Sequence, residues 1–497
     1  MRGLTAFREA YLMSDVANET QFESWEARGL RYQIYWSFYE NTTYQDAHTW
    51  AQSMKHKNAL YKYVRSLYNP AYRIGNFYSA HLWGGALDSE GALEGSIPIV
   101  AENLKLYPAI LQLWRNSRMG RLKDVVTLRG SIEGDVVLRV RDDPEKGKVY
   151  LERVNPGTVV DLEKDSFGNI KAYTLEETRP DPKGSARSVT YAETATRDGE
   201  LVVFRTYLNG APFGWDGNPE AWEEPYGFIP MVHWPHNDVG LDWGWSELQP
   251  MRSKVFEVDD LASMISDQIR KTVDPVWLMK GSREQSLTVT GASRAESGGT
   301  DTRPQPGREE LKAIWSPSDK IQADPLIAPL QLNEALTHIT ALLAELERDY
   351  PELQTDIWAS GATSGRALRV ARQRLTTKVV QRREGYDEGL VRAQQMALSI
   401  GSLRGYDGFA GLGKYEGGAL DHEIGERPVF PVDPLDDVEI SRAFWEAAGA
   451  AVKAGASLEG YLLSQGYKEE QIAPLLGRTD DPPWPTQQKR LGRWNDI

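Results

Sequence analysis

The chain predicts an α+β fold, mainly helical with one antiparallel β-rich segment. Two observations carry that reading. Aromatic and aliphatic residues recur at spacings of three and four through residues 1–120 and again from 246 to 401. Between them, from about 121 to 208, short β-branched runs alternate with turn residues.

The elements follow in order. Tyr32, Tyr35, Trp36 and Tyr39 mark one helical face, and Leu60, Tyr63, Val64, Leu67 and Tyr68 a second, interrupted at Pro70. Ile74, Phe77, Tyr78, His81 and Leu82 resume the spacing until Gly84-Gly85. Residues 101–117 give one more amphipathic helix, with Leu104, Ile110, Leu111 and Trp114 expected inward. Strands are expected at Val125–Leu128 and Val136–Val140, then over 148–154, 158–163, 170–177, 188–193 and 200–208. Asp142-Asp143-Pro144, Asn155-Pro156-Gly157 and Phe167-Gly168-Asn169 supply the turns. Residues 209–235 read as irregular.

Helical spacing returns from Ser246 to Lys271 and ends at Asp274-Pro275, because the residue before proline avoids the helical region. Residues 282–308 are rich in Gly, Ser, Thr, Arg and Pro and read as a loop-rich insert, closed by a strand-like Leu311–Trp315. After Pro329, Leu332, Leu336, Ile339, Leu343 and Leu346 form a heptad-like seam that stops at Tyr350-Pro351. Small and polar residues fill 352–363, and Ser364 is a fitting N-cap for the longest helix, about 364–401. A Gly-rich linker at 401–418 precedes short helices at 438–453 and 457–465.

Composition narrows the function. The chain has 497 residues and no cysteine, which excludes disulfide scaffolds, thiol catalysis, iron–sulfur clusters and cysteine-ligated zinc. No apolar run approaches the roughly 18 residues that span a bilayer. Charges at Arg8 and Glu9 stand where a signal peptide needs an apolar core, so no membrane partner and no secretion are expected. With 57 Lys+Arg against 71 Asp+Glu, the formal net charge is -14. Such acidity argues against a sequence-specific DNA binder but leaves open a protein that handles DNA without gripping it. The 16 Trp and 22 Tyr fit either large apolar interfaces or a large aromatic core.

Motifs for chemistry are weak. His233-Trp234-Pro235-His236 lacks the helical i+4 spacing and the Glu of a zinc protease, and reads as turn histidines beside an aromatic cluster. Gly361-Ala-Thr-Ser-Gly365-Arg366 lacks the Lys-Ser/Thr pair of a phosphate loop. Asp259-Asp260 and Asp436-Asp437 sit in no recognisable acid/base or two-metal context, and no G-x-S-x-G elbow is present. No catalytic residue, metal or cofactor is expected. The anomaly is the long helix. Arg366, Arg369, Arg372, Arg374, Lys378, Arg382 and Arg383 fall within twenty residues without one acid. This band reads either as contact with another subunit or DNA phosphate, or as a solvated face.

The order of elements resembles the portal proteins of tailed bacteriophages, the head-to-tail connectors. Tyr68-Asn69-Pro70-Ala71-Tyr72-Arg73-Ile74 with Leu82-Trp83-Gly84-Gly85 is similar to an early helix of that family. Ser364-Gly365-Arg366-Ala367-Leu368 resembles the start of its long helix, and Pro431-Val432-Asp433-Pro434-Leu435-Asp436 the acidic turn before its C-terminal helices. The resemblance implies a homo-oligomeric ring, usually of twelve subunits, at one capsid vertex, through which double-stranded DNA is packaged and ejected. It implies a virion location, with assembly in the host cytoplasm. A terminase motor, the major capsid protein and a head–tail adaptor would be the partners.

The resemblance also divides the chain. Residues 1–243 would be the wing, 244–272 and 326–349 the stem helices, 273–325 the clip, 350–363 the tunnel loop, 364–403 the long wing helix and 404–497 the crown and tail. It would put Glu352, Gln354, Asp356, Trp358, Ser360 and Gly361 along the channel, with Glu352 and Asp356 presenting negative charge to DNA and Trp358 packing on a neighbour. Leu332, Leu336 and Leu343 would face the next stem, and Arg366, Arg369, Arg372 and Arg382 another subunit or DNA. The competing expectations are a Mg-dependent nucleic-acid-processing enzyme, which needs three or more carboxylates converging in one cleft, and a scaffolding protein without a channel.

Overall fold

The computed structural model describes residues 24–43, 68–84, 96–182, 188–215, 219–273, 276–280, 313–316, 322–326, 332–354, 365–430 and 434–464. The expected helix around 60–68 lies outside them, apart from Tyr68. Two compact units result, 1–429 and 430–497. The α+β class is observed.

Helix α1 (Trp25–Tyr39) is capped by the Ser24 hydroxyl, which accepts from the Ala27 N–H, and buries Tyr32, Ile34, Tyr35 and Phe38. Helix α2 (Pro70–His81) starts at the proline itself. Pro70 occupies the first turn, where no N–H is needed, and the Asn69 side chain caps Tyr72. Strand β1 (Ile99–Val100) and helix α3 (Leu106–Ser117) follow. Ile110, Leu113 and Trp114 are buried, whereas Leu104 lies before the helix and is 83% exposed, contrary to expectation.

Residues 119–133, expected to begin the β region, form helix α4 (Met119–Glu133). Tertiary contacts override the β-branched composition here. Val126 and Thr127 are buried, and the Thr127 hydroxyl donates to the Lys123 carbonyl while accepting from the Trp83 indole. The β region therefore starts at 135 and extends to 235.

It holds β2 (Asp135–Asp143), β3 (Lys148–Val154), β4 (Val159–Lys164), β5 (Ile170–Pro180), β6 (Ser188–Asp198), β7 (Leu201–Leu208), β8 (Ala211–Pro212), β9 (Ala221–Glu224) and β10 (Met231–Pro235). The last three fall in the stretch expected to be irregular. Strands β4 to β8 make an antiparallel meander with β9 on β7, and a second sheet has the order β10-β2-β3. Both bury one core, including Val137, Val154, Val159, Ile170, Tyr173, Phe204 and Met231.

Helix α5 (Arg252–Val273) leads into β11 (Val276–Lys280), which pairs parallel with β12 (Ala313–Ser316) and antiparallel with β13 (Gln322–Leu326). Helix α6 (Leu332–Asp349) returns and packs against α5. The 40-residue helix α7 (Gly365–Arg404) spans about 60 Å at 1.5 Å per residue. Its buried face includes Leu375, Val379, Tyr386, Leu390 and Ala397.

Residues 404–429, expected to begin the crown, belong to the first unit. Tyr406 donates to Asp142, the tilted ring of Tyr415 packs on Phe228, and Arg427 forms a two-bond ion pair with Asp387 of α7. Strand β14 (Glu423–Ile424) pairs with β1. The second unit contains α8 (Pro434–Lys453) and α9 (Leu458–Ser464), joined by the Phe444–Tyr461 ring contact.

The long helix reaches the β10-β2-β3 sheet because Gly389 has no side chain. A Cβ there would sit 2.3 Å from Cε3 of the buried Trp234. Gly389→Ala should therefore cost about 1–3 kcal/mol by overpacking, read as a lower thermal midpoint.

Candidate functional site

The segment before α5 and the 3-10 turn after α6 form the two feet of a helical hairpin, and each foot carries a buried acid. Glu247 is 4% exposed and Glu352 1%. The Glu247 N–H donates to the Ser131 carbonyl, which fixes the first foot on α4. At the second foot, Pro351 ends α6 and the turn places Glu352 inward beside Leu353.

Lys378, Arg382 and Tyr386 follow at i, i+4 and i+8 on α7, so they share one face. The Lys378 ammonium lies 3.0 Å from Glu247 and 2.5 Å from Glu352, bridging both feet. Arg382 adds a 2.7 Å contact to Glu247, and the Tyr78 hydroxyl donates to Glu352 at 2.7 Å. His236 Nε2 stands 3.3 Å from Glu247. The ring Nδ1 lies 2.8 Å from the Tyr386 hydroxyl.

Burial alone would raise the Glu247 carboxyl, but Lys378, the His236 hydrogen bond and Arg382 outweigh it and hold the group well below the usual range. Burial would likewise lower Lys378; Glu247 and Glu352 reverse that and raise it. His236 is lowered, because burial outweighs its acid partner. The cluster thus holds two carboxylates against two cations around a neutral imidazole.

Away from the feet the hairpin loses its cover. Val255 and Val258 of α5 and Leu346 of α6 are buried near the base. Farther out Met264, Ile269 and Leu336 are 41%, 47% and 50% exposed, and Ile339 and Leu343 are half-buried. Lys254 pairs with Glu345 and Asp349 across the base.

These positions correct two expectations. Glu352 does not present its charge to a channel; it is spent on Tyr78 and Lys378. Arg382, expected at a neighbouring subunit or DNA, pairs with Glu247 inside the chain. Gln354 is half-buried and its side-chain amide donates to the Glu347 carbonyl. Arg372 is half-buried and close enough for its charge to reach His81. Asp356, Trp358, Ser360 and Gly361 lie outside the described residues, as do the side chains of Leu332, Arg366 and Arg369.

The basic band is therefore divided. Lys378, Arg382 and Arg383 turn inward, Arg383 donating to the carbonyls of His81, Leu82, Arg427 and Pro428, while Arg374 is exposed. Asp259 is buried and accepts from the Tyr68 N–H, whereas Asp260 is half-buried. Among the described residues, no group of three His, Asp or Glu side chains is placed to share a metal ion, and no helix is long and apolar enough to cross a membrane.

No family model and no curated protein matches the chain. Among solved structures, a chain from the neck of an empty GTA particle computed with C6 symmetry is similar at 15% identity. That likeness covers 84% of this chain and 94% of the other, with a TM-score of 0.42, a level that does not establish a shared fold.

Sequence reasoning missed Glu247, His236, Tyr78 and the role of Lys378. The one available signal was the absence of acids beside seven cations, which pointed to compensation from elsewhere; it comes partly from Glu247 and Glu352. Lys378→Met removes the cation shared by two buried carboxylates, leaving Glu247 with Arg382 and Glu352 with the Tyr78 hydroxyl, and should cost about 3 kcal/mol in denaturant unfolding. Adding Glu352→Gln should restore part of that loss, so the double variant costs less than the sum of the singles. A depressed carboxyl stabilises above its unfolded value, about 4.3 for Glu. The stability from Glu247 should hold at neutral pH and be lost as pH falls from about 5 through the folded value, measured by unfolding at stepped pH.

Proposed function

We propose that the chain is a structural, non-enzymatic subunit of a tailed-phage head–tail vertex, a portal that assembles as a ring and conducts double-stranded DNA. The observation that carries this reading is the hairpin. Two helices are locked at their feet to the body, yet their apolar residues become half-exposed toward the far end. Two helices bury only one side of each other, and a rotationally repeated neighbour would cover the rest. The order of elements in the sequence, with a polar strand-bearing insert between the two helices and a 40-residue helix after them, supports the same assignment.

In this proposal α5 and α6 form the stem and β11 to β13 the clip. The segment 355–364 follows directly on the locked turn and would lie at the channel, with Asp356, Trp358, Ser360 and Gly361 rather than Glu352. Arg366, Arg369 and Arg374 remain for contact with a neighbouring subunit or DNA. Twelve copies, a separate terminase motor, the capsid protein and a head–tail adaptor complete the assembly. The acidic chain would repel phosphate and keep DNA mobile in a lumen.

Leu336→Asp with Leu343→Asp would bury unpaired charge at the stem contact. Light scattering should show the mass falling from a ring toward the monomer, with circular dichroism unchanged. A wild type that stays monomeric, with no central hole in negative-stain images, overturns the proposal. Magnesium-dependent DNA cleavage lost on mutating Asp259 and Asp260 would instead favour the enzyme.

A further inference from the structure

A second polar site lies away from the hairpin feet. The end of β4, strand β10 and α7 enclose a cleft of about 720 Å³. Lys164, the last residue of β4, lines it. Its Nζ makes one hydrogen bond, 2.6 Å, to Nδ1 of His233, and has no ion-pair partner among the described residues. The ring proton of His233 sits on Nε2, where Asp135 accepts it at 2.9 Å. The Asp135 carboxylate is itself filled by the Tyr32 hydroxyl and the Gly244 N–H, at 2.6 and 2.8 Å. The relay thus ends on a cation whose neighbouring acceptor is a neutral imidazole nitrogen.

A second cation joins it. Arg392 of α7 lines the same cleft and spends one nitrogen on Glu388 at 2.6 Å, an exposed pair of small worth. Its other terminal nitrogen lies against the turn at Gly168, where a Cβ would approach it to 3.3 Å; Gly168 also has φ +81°, which favours glycine. The turn is stiff, because Asp165 accepts from the N–H groups of Phe167 and Asn169. Lys164 and Arg392 thus line one cleft, whose rim also carries Asp238, Glu384 and Glu388. Although Lys164 is an exposed residue, partial desolvation of its ammonium lowers it and the Arg392 charge lowers it further, against the pull of Asp135, Asp242 and Asp238. Two cations on one cleft, each making a single side-chain hydrogen bond there, keep N–H donors that suit an oxyanion.

We propose that this cleft binds an oxyanion group, a phosphate or sulfate, between Lys164 and Arg392. The site is independent of the ring assignment, since every residue in it comes from one chain. The cleft exceeds the size of a bare ion, so the group is either free or carried by a small phosphomonoester.

The test is calorimetric titration of the full chain with inorganic sulfate, inorganic phosphate and a nucleoside monophosphate in chloride buffer. Saturable binding is expected. Lys164→Met and Arg392→Met should each weaken it about tenfold or more, and Lys164→Arg should restore most of it. Binding should raise the Lys164 ammonium. Sulfate, which does not titrate near neutrality, should then lose affinity as pH rises through the range where the Lys164 ammonium gives up its proton, an effect absent in Lys164→Met. Tighter binding of the monophosphate than of phosphate identifies a phosphomonoester; equal binding identifies the ion. No saturable binding by the wild type, or equal binding by both methionine variants with unchanged circular dichroism, overturns the proposal.

Discussion

One ammonium group, that of Lys378, holds the two feet of the helical hairpin together. Glu247 arrives from the β10 side and Glu352 from the end of α6, more than a hundred residues apart in sequence. Each would be costly to bury alone. Their shared partner on α7 makes the burial tolerable only when all three segments are in place. Replacing such a triad by apolar residues could stabilise the fold as well or better. What the charges add is specificity, since a register shift of either helix would strand a carboxylate.

This arrangement gives the hairpin two different ends. Its base is fixed by ions, aromatic rings and full burial. Its outer part is an α-helical pair with half-covered apolar residues and, among the described residues, no third layer over them. In the proposed ring, the body would define the hairpin's origin and a neighbouring copy would cover the exposed apolar residues of the stalk. The cleft at Lys164 belongs to the body and is built differently. There a cation faces a neutral acceptor rather than a pair of acids.

Much of the fold was legible in the sequence because periodicity records burial. The spacing over 246–271, at Leu332–Leu346 and over about 364–401 placed three helices within about six residues of their observed bounds. Turn residues located β3 to β7 equally well. Val125–Leu128 misled, because β-branched composition cannot reveal that Trp83 and Tyr386 pack against a helix there. Pro70 read as an interruption although it opens a helix, since proline fits a first turn as well as it breaks a later one. The site was less legible. Glu352 and Asp356 look alike in a polar stretch, and only the fold shows that one is interior. His236 gains its role from Glu247 and Tyr386, neither of which neighbours it in sequence.

Arg383 shows what sort of record such a fold leaves. It donates to four main-chain carbonyls, at His81, Leu82, Arg427 and Pro428, and to no side chain among the hydrogen bonds it makes there. Every residue type offers the same carbonyl oxygen, so the clamp does not read the identity of those four positions. Their side chains can drift through evolution while the guanidinium stays. In an alignment of relatives, Arg383 would then stand as a fixed column with no covarying partner, a constraint that pairwise statistics would overlook.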